Sequence, residues 1–228
     1  PVAPTIQKGI FAFGDTGSYT NIKNLVGSNG VVAADVTGVG TARGFMAAST
    51  YGTDKAIFGF GNTGSLTGVT NLVNNSGVVA NDTAAVGTAK QDLSAAGYGT
   101  DLAIFAFGNT GSMSNSRNLV SNSGVVASDA TGAGTARQRM GAARYGTGTA
   151  IFAFGENGGK TTNKNLVSNT GVIASDTSGA GTALTSHMAA QYGTGTAIFA
   201  YGQNAAGAFV TTSNLVNSSG VIASDVSG

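Results

Sequence analysis

The stretch Ile151-Phe-Ala-Phe-Gly155 decides the fold, because it is one of five blocks of the form Ile-Phe-x-[Phe/Tyr]-Gly. The blocks recur every 47 residues and begin at Ile10, Ile57, Ile104, Ile151 and Ile198. Odd and even positions of each block are apolar, which predicts a strand that is buried on both faces. The other strands of the same unit lie beside this strand in one sheet, so they cannot cover its two faces. The pattern therefore predicts that neighbouring units pack against one another.

Four further blocks repeat with the same spacing, except that two extra residues fall between Gly202 and Asn214, and together they predict four short antiparallel strands in each unit of about 47 residues. Strand a is the Ala-rich stretch typified by Arg137–Tyr145, and strand b is Ala-Ile-Phe-Ala-Phe. Strand c lies around Asn-Leu-Val, and strand d is Val-Val-Ala-Ser-Asp. Glycine-rich turns separate the strands. The repeated blocks begin at Asn24, Asn71, Asn118, Asn165 and Asn214 (Asn-Leu-Val), at Gly30, Gly77, Gly124, Gly171 and Gly220 (Gly-Val-[Val/Ile]-Ala), at Gly40, Gly87, Gly134 and Gly181 (Gly-Thr-Ala), and at Tyr51, Tyr98, Tyr145 and Tyr192 (Tyr-Gly-Thr).

The predicted fold is all-β: one domain over residues 1–228 that forms a five-bladed β-propeller with four antiparallel strands per blade. A four-stranded blade takes about 40–50 residues, and rings of four to eight blades close on themselves. The first and last units carry the same apolar blocks as the others, whereas a solenoid needs distinct end caps. A β-prism or a solenoid is the alternative. The repeats span approximately 1–38, 39–85, 86–132, 133–179 and 180–228, and Pro1–Gln7 are expected to supply a shortened strand a for the first blade.

The composition argues against several classes of function. Apolar residues make up 41% and charged residues only 9%, against about 25% in a typical soluble domain. The net charge is +1 with no basic run, so nucleic-acid binding is not expected. The absence of cysteine removes disulfides and cysteine-based zinc sites. No apolar run approaches the roughly 20 residues of a membrane span, and the first residues do not form a signal peptide, so a soluble protein without a membrane span is expected.

The unit resembles a kelch-type blade in the order of its residues. Arg137 opens the first strand, Ala142–Ala143 supply the small residues, and Ile151–Gly155 stand where kelch units have a β-run ending in paired glycines. The paired glycines are a single glycine here, and the outer Trp is absent. Units of the style Tyr-Gly-Thr-Asp-Lys-Ala-Ile-Phe-Gly-Phe-Gly (Tyr51–Gly61) also look similar to repeats in structural or tail-associated proteins of bacteriophages and uncultured marine viruses. That resemblance implies a virion or extracellular, host-surface location.

Two sets of side chains recur in register and are candidate surface-binding positions. The first set could form a ring of carboxylates that binds a cation or an amine, or each carboxylate could accept backbone N–H bonds in its own turn; it comprises Asp35, Asp82, Asp129, Asp176 and Asp225. The second set lies at the turn between strands a and b, where partly exposed rings could stack on sugars; it comprises Tyr51, Tyr98, Tyr145 and Tyr192.

The remaining ionisable residues do not form a catalytic pattern. Arg43, Lys90 and Arg137 share one register, in which Leu184 takes the fourth place, and we expect solvated side chains at a blade edge. His187 aligns with methionine and leucine in the other units, so we expect it to be packed rather than to act as a general base. No triad, metal cluster or phosphate-binding loop is found, and no cofactor is expected.

The sequence therefore favours a non-enzymatic structural or adhesion module, associated with a phage tail or capsid, that contacts protein partners. A carbohydrate-binding propeller that recognises a host-surface glycan is the second hypothesis. An enzyme and an engineered or ancestral repeat protein are the others. Repeat-built enzymes usually break symmetry at the active site, and the main break here, the loop 203–213, carries no ionisable residue.

Overall fold

A computed structural model describes residues 9–84 and 86–228, and every regular element in them is a β-strand. The strands form five small antiparallel sheets arranged in a ring, which is the predicted five-bladed β-propeller. We number the blades 1–5 in chain order. The strand expected at Pro1–Gln7 lies outside the described residues. Within the described ranges, no helix has the length and apolar character needed to cross a membrane.

The strands follow one another from the centre of the ring to its rim in each blade. Blade 1 contains β1 (Gly9–Asp15), β2 (Tyr19–Val26) and β3 (Val36–Thr37), and blade 2 contains β4 (Ala47–Tyr51), β5 (Lys55–Gly59) and β6 (Thr70–Val73). Blade 3 contains β7 (Ser94–Tyr98), β8 (Leu102–Ala106), β9 (Ser116–Val120) and β10 (Ala130–Thr131). Blade 4 contains β11 (Gly141–Tyr145), β12 (Thr149–Ala153), β13 (Asn163–Val167) and β14 (Thr177–Ser178). Blade 5 contains β15 (Met188–Tyr192), β16 (Thr196–Ala200), β17 (Thr212–Val216) and β18 (Val226–Ser227).

The outermost strand differs from the prediction. It was expected in the Val-Val-Ala-Ser-Asp block, yet in blade 3 that block makes only the isolated bridge between Val120 and Val126. The strand β10 begins after Asp129 and has two residues. The ladder is interrupted because the side chain of Asn118 donates a hydrogen bond to the carbonyl of Ala127 at 3.1 Å. In blade 2, the same edge is reduced to the bridge between Thr70 and Thr83.

The two aromatic residues of each repeated block point to opposite faces of the blade. In a regular strand, Phe105 and Phe107 would lie on the same face, because side chains alternate. The strand β8 ends at Ala106, and Phe107 has a φ of 63°, in the left-handed region. This conformation, which costs about 1–2 kcal/mol for a non-glycine residue, places Phe107 in the core shared with blade 4, while Phe105 packs in the core shared with blade 2. The equivalent residues share the conformation: Phe13, Phe60, Phe154 and Tyr201 have φ between 61° and 64°.

Aromatic pairs therefore join each blade to the next. The ring centroids are 5.3–5.5 Å apart, mostly in edge-on geometry, in the pairs Phe13–Phe58, Phe60–Phe105, Phe107–Phe152 and Phe154–Phe199. Backbone hydrogen bonds reinforce these contacts: the N–H of Gly61 donates to the carbonyl of Lys90 at 2.8 Å, and that of Gly108 to the carbonyl of Arg137 at 2.9 Å. The prediction that units bury one another's aromatic strands is confirmed.

The ring has a seam between blade 5 and blade 1, which is not packed like the other four junctions. Phe11 corresponds to the buried Phe105 but is 64% exposed, and Tyr201 corresponds to the buried Phe107 but is 58% exposed. We call the surface around Phe11 the blade-1 face. We call the surface around Tyr201, Tyr192 and Met188 the blade-5 face. These four side chains are all exposed to solvent.

Phe11 and Phe105 occupy equivalent positions but differ in exposure, so a substitution of one is the control for the same substitution of the other. We expect Phe105→Ala to lower the free energy of unfolding by about 3–5 kcal/mol, because it leaves a cavity between two blades. Phe11→Ala should change it by less than about 1 kcal/mol, because the ring already lies in water. Urea unfolding followed by circular dichroism measures both. An equal loss in the two variants would mean that the seam is packed in solution.

Candidate binding surfaces

The five repeated aspartates are tied into the protein's own structure. In blade 3, Asp129 accepts a hydrogen bond from the side chain of Asn118 at 2.8 Å and from the backbone N–H of Thr88 at 2.8 Å. Thr88 lies in the segment that enters the blade, so the carboxylate fastens this segment to the outer edge. The donors are therefore not in the aspartate's own turn, as the turn interpretation expected. Equivalent bonds join Thr41 to Asp82, Thr135 to Asp176, and Thr182 to Asp225, and Asn24 donates to Asp35.

These bonds favour the ionised form of four of the carboxylates. Burial alone would raise the pKa of Asp129, but the hydrogen bonds from Thr88 and Asn118 and the charge of Lys90 outweigh it, so its pKa is lowered. The pKa values of Asp82, Asp176 and Asp225 are lowered in the same way. Among the residues that the structure describes, no group of three His, Asp or Glu side chains could hold a metal ion.

The cations in the shared register are buried, so the expectation of solvated side chains is wrong. Arg43, Lys90 and Arg137 are all fully inaccessible to solvent. The ammonium of Lys90 donates to the side-chain oxygen of Asn118 at 2.8 Å and to Ser116 at 3.0 Å, and it lies 4.9 Å from the centroid of the Phe60 ring. Burial lowers its pKa to about 8. Lys90 and Arg137 are thus each held between the aromatic ring of the preceding blade and the asparagine of their own blade, whereas Arg43 stacks on Phe13 and donates to the carbonyl of Phe60.

The equivalent position in blade 5 indicates that the buried Arg43, Lys90 and Arg137 have a structural role. Leu184 occupies this position and is equally well buried. The other two arginines near Arg137 do not extend it into a basic patch: Arg139 forms ion pairs with Asp92 and Glu156, and Arg144 donates to the carbonyl of Gly99. The structure brings these three arginines to separate places.

Three of the four repeated tyrosines are buried, so the expectation of partly exposed rings is wrong for Tyr51, Tyr98 and Tyr145. Each ring packs against a hairpin of the next blade, where only glycine fits. At Gly124 the φ is 84°, and an added Cβ would lie 3.0 Å from the ring of Tyr51 and 2.8 Å from Leu72. The hairpin glycine therefore sits in a seat formed by a tyrosine and a leucine. Ligand binding through these three rings stays a prediction that would require them to leave this seat.

Tyr192 is the exception, because it lies at the seam, where none of the described residues of blade 1 buries its ring. Its side chain is 43% exposed and lines a cavity of about 240 Å³ together with Leu215, Thr196, Asn217 and Val221. Tyr192 and Leu215 are the equivalents of Tyr51 and Leu72. The cavity is therefore the fourth tyrosine–leucine seat, and it is open.

His187 is packed, as the sequence predicted. Its ring centroid lies 5.1 Å from that of Phe154 and 5.5 Å from that of Phe199, and its Nε2 accepts a hydrogen bond from the backbone N–H of Gly141 at 3.0 Å. Burial lowers its pKa to about 4. A neutral imidazole between two aromatic rings supports the junction of blades 4 and 5.

The sequence reasoning missed the role of the repeated asparagine. Asn71, Asn118, Asn165 and Asn214 are buried, and each donates to a backbone carbonyl and to the aspartate of its blade. The signal was an unvarying polar residue placed directly before two apolar ones in all five units. It also missed the seam, because Tyr201 looks like an ordinary member of its register, and Met188, which replaces alanine, serine or glycine, lies in an apolar stretch.

Removing this asparagine should destabilise the protein. Asn118→Ala leaves the ammonium of Lys90 and the carbonyl of Ala127 without their partner, and we expect the free energy of unfolding to fall by about 3 kcal/mol. The exposed Asn122 on the adjacent hairpin is the matched control, and Asn122→Ala should change it by less than about 0.5 kcal/mol. Equal stability of the two variants in urea unfolding would contradict the structural role.

His187 should make stability depend on pH. Its pKa is about 4 in the folded protein and near 6.5 in the unfolded chain, so the unfolded state binds the proton first. Stability should be complete above pH 6.5 and should fall by up to about 3 kcal/mol as the pH drops to 4. The aspartates, with lowered pKa values, titrate below this window.

The matched variant is His187→Met, since methionine occupies this register in two other units, at Met46 and Met140. Urea unfolding at a series of pH values between 7.5 and 4.5 should show the slope in the native chain and not in the variant. An unchanged slope in the variant would assign the titration to other groups.

Two comparisons with known proteins found no match: no family model matches the chain, and no curated protein matches it. The kelch and phage resemblances thus rest on the quoted motifs alone. The β-propeller rests on the packing of the five sheets.

Proposed function

We propose that this chain is a non-enzymatic structural or adhesion module that acts through contact with other proteins, in a virion or at a host-facing surface. One observation carries the proposal: the polar side chains that recur in the blades bind the protein's own backbone and one another. The aspartates, the asparagines and the buried cations all take part in this way. A site for chemistry repeated in every blade would need such groups to face solvent.

The surface that the chain presents to a partner instead carries few charges, since charged residues make up only 9% of the chain and three of them are buried. One valine of each blade projects from the hairpin at the rim and is more than half exposed; these residues are Val31, Val78, Val125, Val172 and Val221. The larger apolar side chains that are exposed include those of the two seam faces. Exposed apolar surface of this kind favours protein contact. The resemblance to phage and marine-virus repeats supplies the virion setting of the proposal.

A carbohydrate-binding module is the second candidate, and the cavity beside Tyr192 favours it. The cavity combines a partly exposed aromatic ring with the polar side chains of Thr196 and Asn217, which suits a sugar that stacks on one face and accepts or donates hydrogen bonds at its edge. It would provide one site in the chain, rather than one in each blade.

Two measurements on the full chain separate the candidates. For a structural module, mass spectrometry of virus particles purified on a density gradient should find the chain in constant ratio to the major capsid protein, and a glycan array should give no signal. For a lectin, the array signal should be lost in Tyr192→Ala and retained in Tyr192→Phe, which keeps the stacking ring. Recovery of the chain only from the soluble fraction of infected cells would contradict the virion setting.

A further inference from the structure

We propose that the two seam faces bind each other between copies of this chain, with the blade-5 face of one copy on the blade-1 face of the next. The inference rests on the proposed protein-contact function and names a second copy as the partner. The four internal junctions define what each side of a blade-to-blade interface requires.

Each internal junction joins two different halves. One half presents the second aromatic residue of a block and a leucine, joined by a tyrosine in blades 2, 3 and 4, and the other half presents the first aromatic residue of the next block and a hairpin glycine. At the junction of blades 2 and 3, Phe60 meets Phe105 at 5.3 Å, while Tyr51 and Leu72 receive the hairpin at Gly124.

The blade-5 face carries the complete first half without a partner. Tyr201 replaces Phe60, and Tyr192 and Leu215 replace Tyr51 and Leu72. All three side chains are more than 40% exposed, whereas Phe60 and Tyr51 are buried. The open cavity of about 240 Å³ beside Tyr192 and Leu215 corresponds to the seat that a hairpin glycine occupies at the internal junctions.

Among the described residues, the blade-1 face carries the aromatic ring and the hairpin glycine of the second half, both exposed. Phe11 stands in the register of Phe105, and Val32 in that of the buried Val126, yet both are more than half exposed. Gly30 stands in the register of Gly124, and an added Cβ there would meet no atom within 4 Å. Neither half includes a charged side chain, so their contact would leave no charge buried and unpaired.

Met188 favours a second copy over closure by the chain's own first blade. At the internal junctions its position holds Ala47, Ser94 or Gly141. The aromatic ring of the next blade comes so close there that a Cβ on Gly141 would lie 2.8 Å from Phe199. Because the side chain of Met188 is longer than those of the residues at this position in the other blades, it would keep the aromatic ring of an adjoining blade farther away. Two separate copies can adjust to that spacing, whereas a ring closed by its own ends has its last rotation fixed by the other four junctions.

The two faces differ, so the contact is head-to-tail and leaves one free face at each end of an assembly. The wild-type chain should therefore form a series of oligomers that lengthens with concentration. A substitution on one face should stop this growth but leave the other face competent to bind.

The experiment uses three variants of the full chain in sedimentation velocity. Phe11→Asp disables the blade-1 face, and Tyr201→Asp disables the blade-5 face; both residues are exposed, so neither change should affect folding. Each variant alone should remain at the 22.3 kDa of one chain. A mixture of the two should form a 1:1 dimer of twice that mass, because each supplies the face that the other lacks. Val125→Asp, which places the same charge on an exposed rim valine, should assemble like the wild type.

Two results would overturn the inference. A wild-type chain that stays monomeric at every concentration would show that its own first blade closes the seam. A Phe11→Asp variant that still dimerises alone would show a symmetric contact between two blade-5 faces. If either result came with the chain present in purified particles, the proposed function would stand while the inference would fail; self-association with no chain in particles would count against the virion setting alone.

Discussion

Everything in this molecule depends on the burial of one aromatic strand from both sides. The first phenylalanine of the block packs on the preceding blade, and the second packs on the following blade. Regular alternation would send both rings to the same side, so the chain adopts the left-handed conformation at the second ring. The burial of a phenylalanine, which contributes about 1.5–3 kcal/mol, offsets the local strain of about 1–2 kcal/mol. Each repeat is therefore stabilised by packing against its neighbours and is not a self-contained domain.

The polar residues follow from that arrangement. A segment must run from the rim of one blade to the centre of the next, and its backbone groups need partners. The threonine–aspartate–asparagine bonds supply them, and the buried Lys90 or arginine adds a cation against the neighbouring aromatic ring. Leu184 replaces the cation in blade 5, where His187 packs between two rings instead. The same junction is thus built with either charged or neutral side chains.

The exposed faces at the seam between blades 5 and 1 are the basis of the proposed self-association. Each blade buries its two faces only against neighbouring blades. Where the ring of five blades has a seam, one face of blade 5 and one face of blade 1 are therefore left exposed. Those faces are apolar, uncharged and complementary by construction. A protein with such ends is suited to assembly, which is the character expected of a structural or adhesion module.

The sequence by itself determined the number of blades, the order of their strands and the double-sided burial of strand b, because each of these is a local pattern repeated five times. It also placed His187 in a packed position by comparing registers. Only the tertiary structure decided which way the second aromatic ring points, since that depends on one backbone angle that apolar patterning does not specify. The burial of Lys90 and the three tyrosines, and the shift of the outer strand past Asp129, follow from contacts made by other units or by the Asn118 side chain. The seam depends on the sum of four junction rotations, a property of the whole ring that no single repeat encodes.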